Sequence, residues 1–91
     1  MMIHTEISFI RKKTDDGFGF ACMKAAYLFG ITGRMEYNHE VKIHAEGERG
    51  NIEEFIAWIK ENEKDDTQVR YNYSLNNSRK YKEFDIFRQT L

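Results

Sequence analysis

At 91 residues, with 41% hydrophobic and 14% aromatic side chains, the chain has the size of one domain and enough apolar content for a core without staples. A formal net charge of −1 argues against a general nucleic-acid binder, which needs a basic excess or a basic face. One cysteine, Cys22, excludes an internal disulfide and a cysteine-rich zinc site, and no apolar run reaches the ~20 residues of a membrane span, so a soluble cytoplasmic domain is expected.

In chain order, residues 1–10 alternate, with Ile3, Thr5, Ile7 and Phe9 on one parity and His4, Glu6, Ser8 and Ile10 on the other, which predicts a half-buried strand. Arg11, Lys12 and Lys13 end it in solvent, and residues 14–19 read as a loop with Gly17 and Gly19. Residues 20–29 predict a helix whose inward face is Cys22, Ala25, Ala26 and Phe29, stopped by Gly30. Residues 34–37 and 41–45 predict two strands joined at Asn38-His39-Glu40, and Gly47 and Gly50 bound the next turn.

Asn51 suits an N-cap, with Glu54 three positions on and both Glu53 and Glu54 in the first turn. Ile52, Phe55, Ile56 and Ile59 form the stripe of that second helix, with Trp58 at its edge. A charged connection over 61–67 leads to a strand around Val69, Tyr71 and Tyr73. A polar turn over 75–80 follows, and then a last short strand over 81–87. The order is β-α-β-β-α-β with a small extra strand. It predicts a single α+β domain over 1–91 with a ferredoxin-like sandwich: an antiparallel sheet of four main strands plus a short C-terminal one, and two helices on one face.

Five stretches together resemble the acylphosphatases: Gly17-Phe18; Ala26, Gly30 and Gly33 within AYLFGITG; Val41-Lys42-Ile43-His44-Ala45-Glu46-Gly47; Phe55 and Trp58; and Phe84-Asp85-Ile86. The resemblance implies a small hydrolase of carboxyl-phosphate bonds that needs no metal and no cofactor. In that family backbone N–H groups of a loop hold the phosphate, an arginine just after Gly-Phe neutralises it, and an asparagine on the second strand positions water. Here the loop equivalent is Thr14, Asp15, Asp16, Gly17, Phe18 and Gly19. Without gaps, the arginine position falls on Gly19 and the asparagine position on Tyr37; sliding the match puts Ala21 at the arginine position instead. Asn38 is one residue late, which in a strand turns its side chain to the other face unless a bulge intervenes.

Asp15 and Asp16 put carboxylates where a phosphate would sit, and a like charge at ~4 Å costs roughly 4 kcal/mol near a protein surface. Losing the guanidinium adds about 2–4 kcal/mol, by analogy with removing one oxyanion donor. The expectation is a catalytically degenerate acylphosphatase-like module. Its partner would be a small anion or a protein, with no nucleic acid or membrane, and its state a monomer or weak dimer. The alternative is a divergent active acylphosphatase in which Lys13 or Lys24 supplies the charge and Asn38 the amide.

Other clusters read as structure. Asp15 and Asp16 are expected to solvate a loop rather than hold a cation. His4, Glu6, Lys42 and His44 share the helix-free face, where cross-strand charge pairs outweigh zinc. Cys22 is expected to be buried and structural rather than nucleophilic. Tyr71, Tyr73, Tyr81, Phe84 and Phe87 are expected to pack rather than stack on RNA bases.

Overall fold

A computed structural model describes residues 2–10, 17–38, 40–62, 69–75 and 81–87. The elements are β1 (Met2–Ile10), α1 (Phe18–Leu28), β2 (Thr32–Tyr37), β3 (Glu40–Glu48), α2 (Arg49–Asn62), β4 (Arg70–Leu75) and β5 (Phe84–Phe87). They form one five-stranded sheet in the order β4-β1-β3-β2-β5. Three of its pairings are antiparallel, β1 with β3, β1 with β4 and β2 with β3. The fourth joins β2 and β5 in parallel, so the sheet is mixed rather than wholly antiparallel. β4 lies at one edge and β5 at the other, so β5 has crossed the sheet and returns alongside β2 in the same direction. Among the described residues no helix is long and apolar enough to cross a membrane.

The alternation of the strands fixes what the sheet buries. Ile3, Thr5, Ile7 and Phe9 of β1, Met35 and Tyr37 of β2, and Val41, Ile43 and Ala45 of β3 are all buried. They meet Phe18, Cys22, Ala25 and Ala26 of α1 and Ile52, Phe55, Ile56 and Ile59 of α2 in one core. Cys22 and Ala26 are fully enclosed, and their small side chains let α1 lie close to the strands.

Several boundaries differ from the pattern expected of the sequence. α1 begins at Phe18, so Phe18 and Gly19 are helical rather than part of a loop. Gly17 explains the early start: it takes a left-handed conformation at φ 79°, and its carbonyl accepts from the Ala21 N–H at 3.1 Å. The other end of α1 stops at Gly30, as its sequence suggests. Gly30 sits at φ 68°, with its own N–H on the Tyr27 carbonyl and the Ile31 N–H on the Ala26 carbonyl at 2.8 Å, a Schellman closure.

Asn51 is not an N-cap: β3 runs to Glu48 and α2 starts at Arg49, which places Asn51 inside the helix. Glu53 and Glu54 accordingly fall beyond the first turn, and Glu53 pairs with Arg49 at 3.2 Å. Gly47 is a strand residue, not a turn residue. A Cβ there would meet Ile31 Cδ1 at 2.9 Å, so its smallness serves packing. The last strand is shorter than 81–87, because residues 81–83 are a separate segment that ends the crossing. The expected connections over 61–67 and 75–80 fall mostly outside the described residues.

Candidate functional site

The stretch that would cradle an anion is the approach to α1. Thr14, Asp15, Asp16 and Lys13 lie outside the described residues. What is described is its end, Gly17, and the first helical turn, where Gly19 is buried. Tyr37 lies at the end of β2 on the inner face and is only 5% exposed. The two positions touch: a Cβ built on Gly19 would stand 3.0 Å from Tyr37 Cδ2 and 3.1 Å from Cε2. The phenol ring therefore lies on the helix backbone where any side chain at 19 would begin.

An aromatic cluster surrounds this contact. The Tyr37 ring stacks near Phe18, with centroids 6.4 Å apart. Phe18 meets Phe9 edge-on at 5.8 Å and Trp58 at 5.8 Å. Trp58 is half-buried against the core, at the edge of the α2 stripe as expected. None of these four rings carries a charge, so the cluster offers no guanidinium to a phosphoryl group.

The remaining sequence candidates lie elsewhere. Lys24 is five residues after Gly19, about 140° round the helix, and it is exposed on the far side of α1. The β2–β3 ladder runs without interruption from the Thr32–Glu46 pair to the Tyr37–Val41 pair. No bulge in it returns Asn38 to the face of Tyr37. Asn38 is half-buried in the bend that follows.

The helix-free face does gather the expected histidines. Register sets His4 opposite Glu46 and Glu6 opposite His44. His44 Nδ1 lies 3.4 Å from Glu6 Oε1, and its Nε2 lies 4.0 Å from Glu36 Oε2. The His4 and His44 rings are 6.0 Å apart, whereas Lys42 turns to Glu40 at 3.6 Å. Among the described residues no group of three or more histidines, cysteines or carboxylates is placed to hold a metal ion.

The sequence pattern underrated Glu46 on this face. It shares the parity of His44 but is fully buried. Its Oε1 accepts from the Tyr81 N–H at 2.9 Å, and its Oε2 lies 3.9 Å from His4 Nδ1. The Tyr81 ring stacks on His4, so the segment that ends the crossing covers this corner of the sheet. Local periodicity gives no sign of that cover, since Tyr81 comes 35 residues later.

Among the described residues, the C-terminal aromatics Tyr71, Phe84 and Phe87 do not share one platform. Phe84 packs on Phe55 in the core, Tyr71 lies beneath Lys60 at 5.0 Å, and Phe87 lies beneath Arg34 at 4.0 Å.

The sequence matches the acylphosphatase family over residues 16–88. No curated protein sequence matches it. Among solved structures, full-length HypF in a phosphate- and nucleotide-bound form is similar at TM-score 0.78 and 23% identity, over 96% of this chain. The chain spans only 12% of the HypF length. An acylphosphatase from Bacillus subtilis is similar at TM-score 0.68 and 21% identity, over 96% of this chain and 99% of that one. An acylphosphatase from Coxiella burnetii is similar at TM-score 0.68 and 20% identity, over 93% of each chain. At these identities the structural likeness is one of fold.

Proposed function

Because the chain belongs to the acylphosphatase family, which it matches over residues 16–88, we propose that it is a non-catalytic member, a small binding or structural module. The observation that carries this reading is the contact of Tyr37 with Gly19. Acyl-phosphate hydrolysis by this fold would rest on a fixed positive charge beside a nest of backbone N–H groups. Position 19 has no side chain, and the ring of Tyr37 covers the place where one would start. Lys24 is aimed elsewhere, and a lysine in any case offers a flexible point charge in place of a fork. A small anion or a protein is the partner class this module would take. A cytoplasmic location is part of the proposal, and the one cysteine, buried in the core, accords with it.

The test is hydrolysis of an acyl phosphate by the purified protein, beside a phosphate titration of the Gly17–Gly19 amides followed by NMR. The expected result is the uncatalysed rate and no amide shift at millimolar phosphate. Hydrolysis that disappears on Gly17→Ala would overturn the proposal in favour of a divergent active enzyme using Lys13 and Asn38.

A further inference from the structure

α1 is apolar on two opposite faces. Its inward stripe, Phe18, Cys22, Ala25 and Ala26, enters the core. Its outward stripe, Phe20, Met23, Lys24, Tyr27 and Leu28, follows the same i, i+3, i+4, i+7, i+8 spacing and holds the only charge of the helix. On the outward side Phe20 is 72% exposed, Tyr27 85% and Leu28 80%. α2, its neighbour in the same layer, behaves differently: its solvent face carries Glu53, Glu54, Lys60 and Glu61. A helix apolar all round is normally covered on all sides.

We propose that the outward face of α1 is the contact between two copies of this chain. Three observations select a second copy as the occupant. The patch holds both halves of a fit. Tyr27 and Leu28 stand exposed and form one wall of an open apolar groove of about 820 Å³, whose other walls include Met23, Ile31, Thr32 and Phe84. A two-fold contact needs this self-complementarity, since the same surface must act as knob and hole. The groove is lined by both signs, Lys24 and Lys82 with Glu83, so a two-fold contact can set a lysine of one copy against Glu83 of the other, whereas a uniformly charged partner meets a mismatch.

The area also suits such a contact. Phe20, Tyr27 and Leu28 together expose roughly 400–500 Å², within the range of patches that mark interaction sites. Pairing the patch with itself hides about 1,000 Å² in all, the lower limit of a specific interface, which predicts a weak dimer.

Sedimentation velocity of the intact chain, from about 10 μM to about 1 mM, tests this. The expected result is a concentration-dependent dimer. Leu28→Asp should weaken it by at least ~100-fold with an unchanged circular-dichroism spectrum, because a two-fold contact counts the substitution twice. Tyr27→Glu should do the same, and Glu54→Lys on α2 should leave the dimer intact. A wild-type chain that stays monomeric at the top concentration overturns the proposal, as does a Leu28→Asp chain that dimerises normally. A monomer that floats with phosphatidylcholine vesicles also overturns it and assigns the face to a lipid surface instead.

Discussion

The contact between Gly19 and Tyr37 makes a quantitative prediction about energetic coupling. Gly19→Ala adds one carbon at 3.0–3.1 Å from the Tyr37 ring, where ordinary contact is ~3.5–4.0 Å. The ring must then shift within a packed cluster, which costs about 1–3 kcal/mol. Against this, alanine is favoured over glycine in a helix by up to ~1 kcal/mol. The net expectation is a destabilisation of about 0–2 kcal/mol. In a Tyr37→Ala background the steric part vanishes, and the same Gly19→Ala change becomes stabilising by up to ~1 kcal/mol. The coupling energy is therefore about 1–3 kcal/mol, read from urea unfolding of the four proteins in a double-mutant cycle. Tyr37→Ala itself costs about 3–5 kcal/mol, by analogy with other buried aromatics. Tyr37→Leu, which keeps more bulk, serves as background if the alanine chain unfolds. Equal effects of Gly19→Ala in both backgrounds, within ~0.5 kcal/mol, would show that the ring does not close position 19.

Other sites give further expectations. Gly33 takes φ 155°, and a Cβ there would lie 1.8 Å from the His44 carbonyl oxygen, so Gly33→Ala should cost over ~4 kcal/mol and remove the cooperative urea transition; a near-normal midpoint would contradict this approach of β2 to β3. Glu46→Ala takes the acceptor from the Tyr81 N–H and should cost about 1–3 kcal/mol in urea unfolding, while Glu46→Gln, which keeps an acceptor oxygen, should cost less; equal losses would mean that this bond does not hold the crossing segment. The Cys22 thiol is fully buried, so a thiol reagent should label it only as fast as the chain opens; rapid labelling of the folded protein would place it at the surface.

Much of the fold was legible because the strands are half-buried and alternate cleanly. Ile3, Ile7 and Phe9 mark the inner face of β1, and the Ile52–Ile59 stripe marks α2. The misreadings have local causes. Glycines at 47 and 50 read as punctuation in the sequence, yet Gly47 is small to admit Ile31, and β3 passes straight into α2. Asn51 has the chemistry of a cap, but a helix already running from Arg49 leaves it nothing to cap. The parallel place of β5 and the burial of Glu46 depend on a chain crossing that no local period encodes. The resemblance picked out Gly19 and Tyr37 separately, through the alignment; that one lies on the other appears only once α1 is packed against β2. The outward stripe of α1 was readable all along, at helical spacing, but the inward stripe alone sufficed to predict the helix.

Gly19 and Tyr37 form one steric unit. The resemblance implies an arginine at the position of Gly19 and an asparagine at that of Tyr37. This chain sets no side chain at 19 against a large ring at 37, and the ring lies within 3.0–3.1 Å of any added carbon. On the proposed reading, the bulk at 37 fills the space that position 19 leaves open. Changing one partner alone therefore fails in either direction. Gly19→Arg drives a guanidinium stem into the phenol and should destabilise by about 1–3 kcal/mol or more. Tyr37→Asn removes a buried ring and leaves a cavity with an amide in it, at about 3–5 kcal/mol. The pair Gly19→Arg with Tyr37→Asn should be more stable than the sum of the two, because the arginine stem refills the space the ring leaves. That non-additivity is measurable by urea unfolding whether or not acyl-phosphate hydrolysis returns. Strict additivity would mean that the two positions do not share the space the structure gives them.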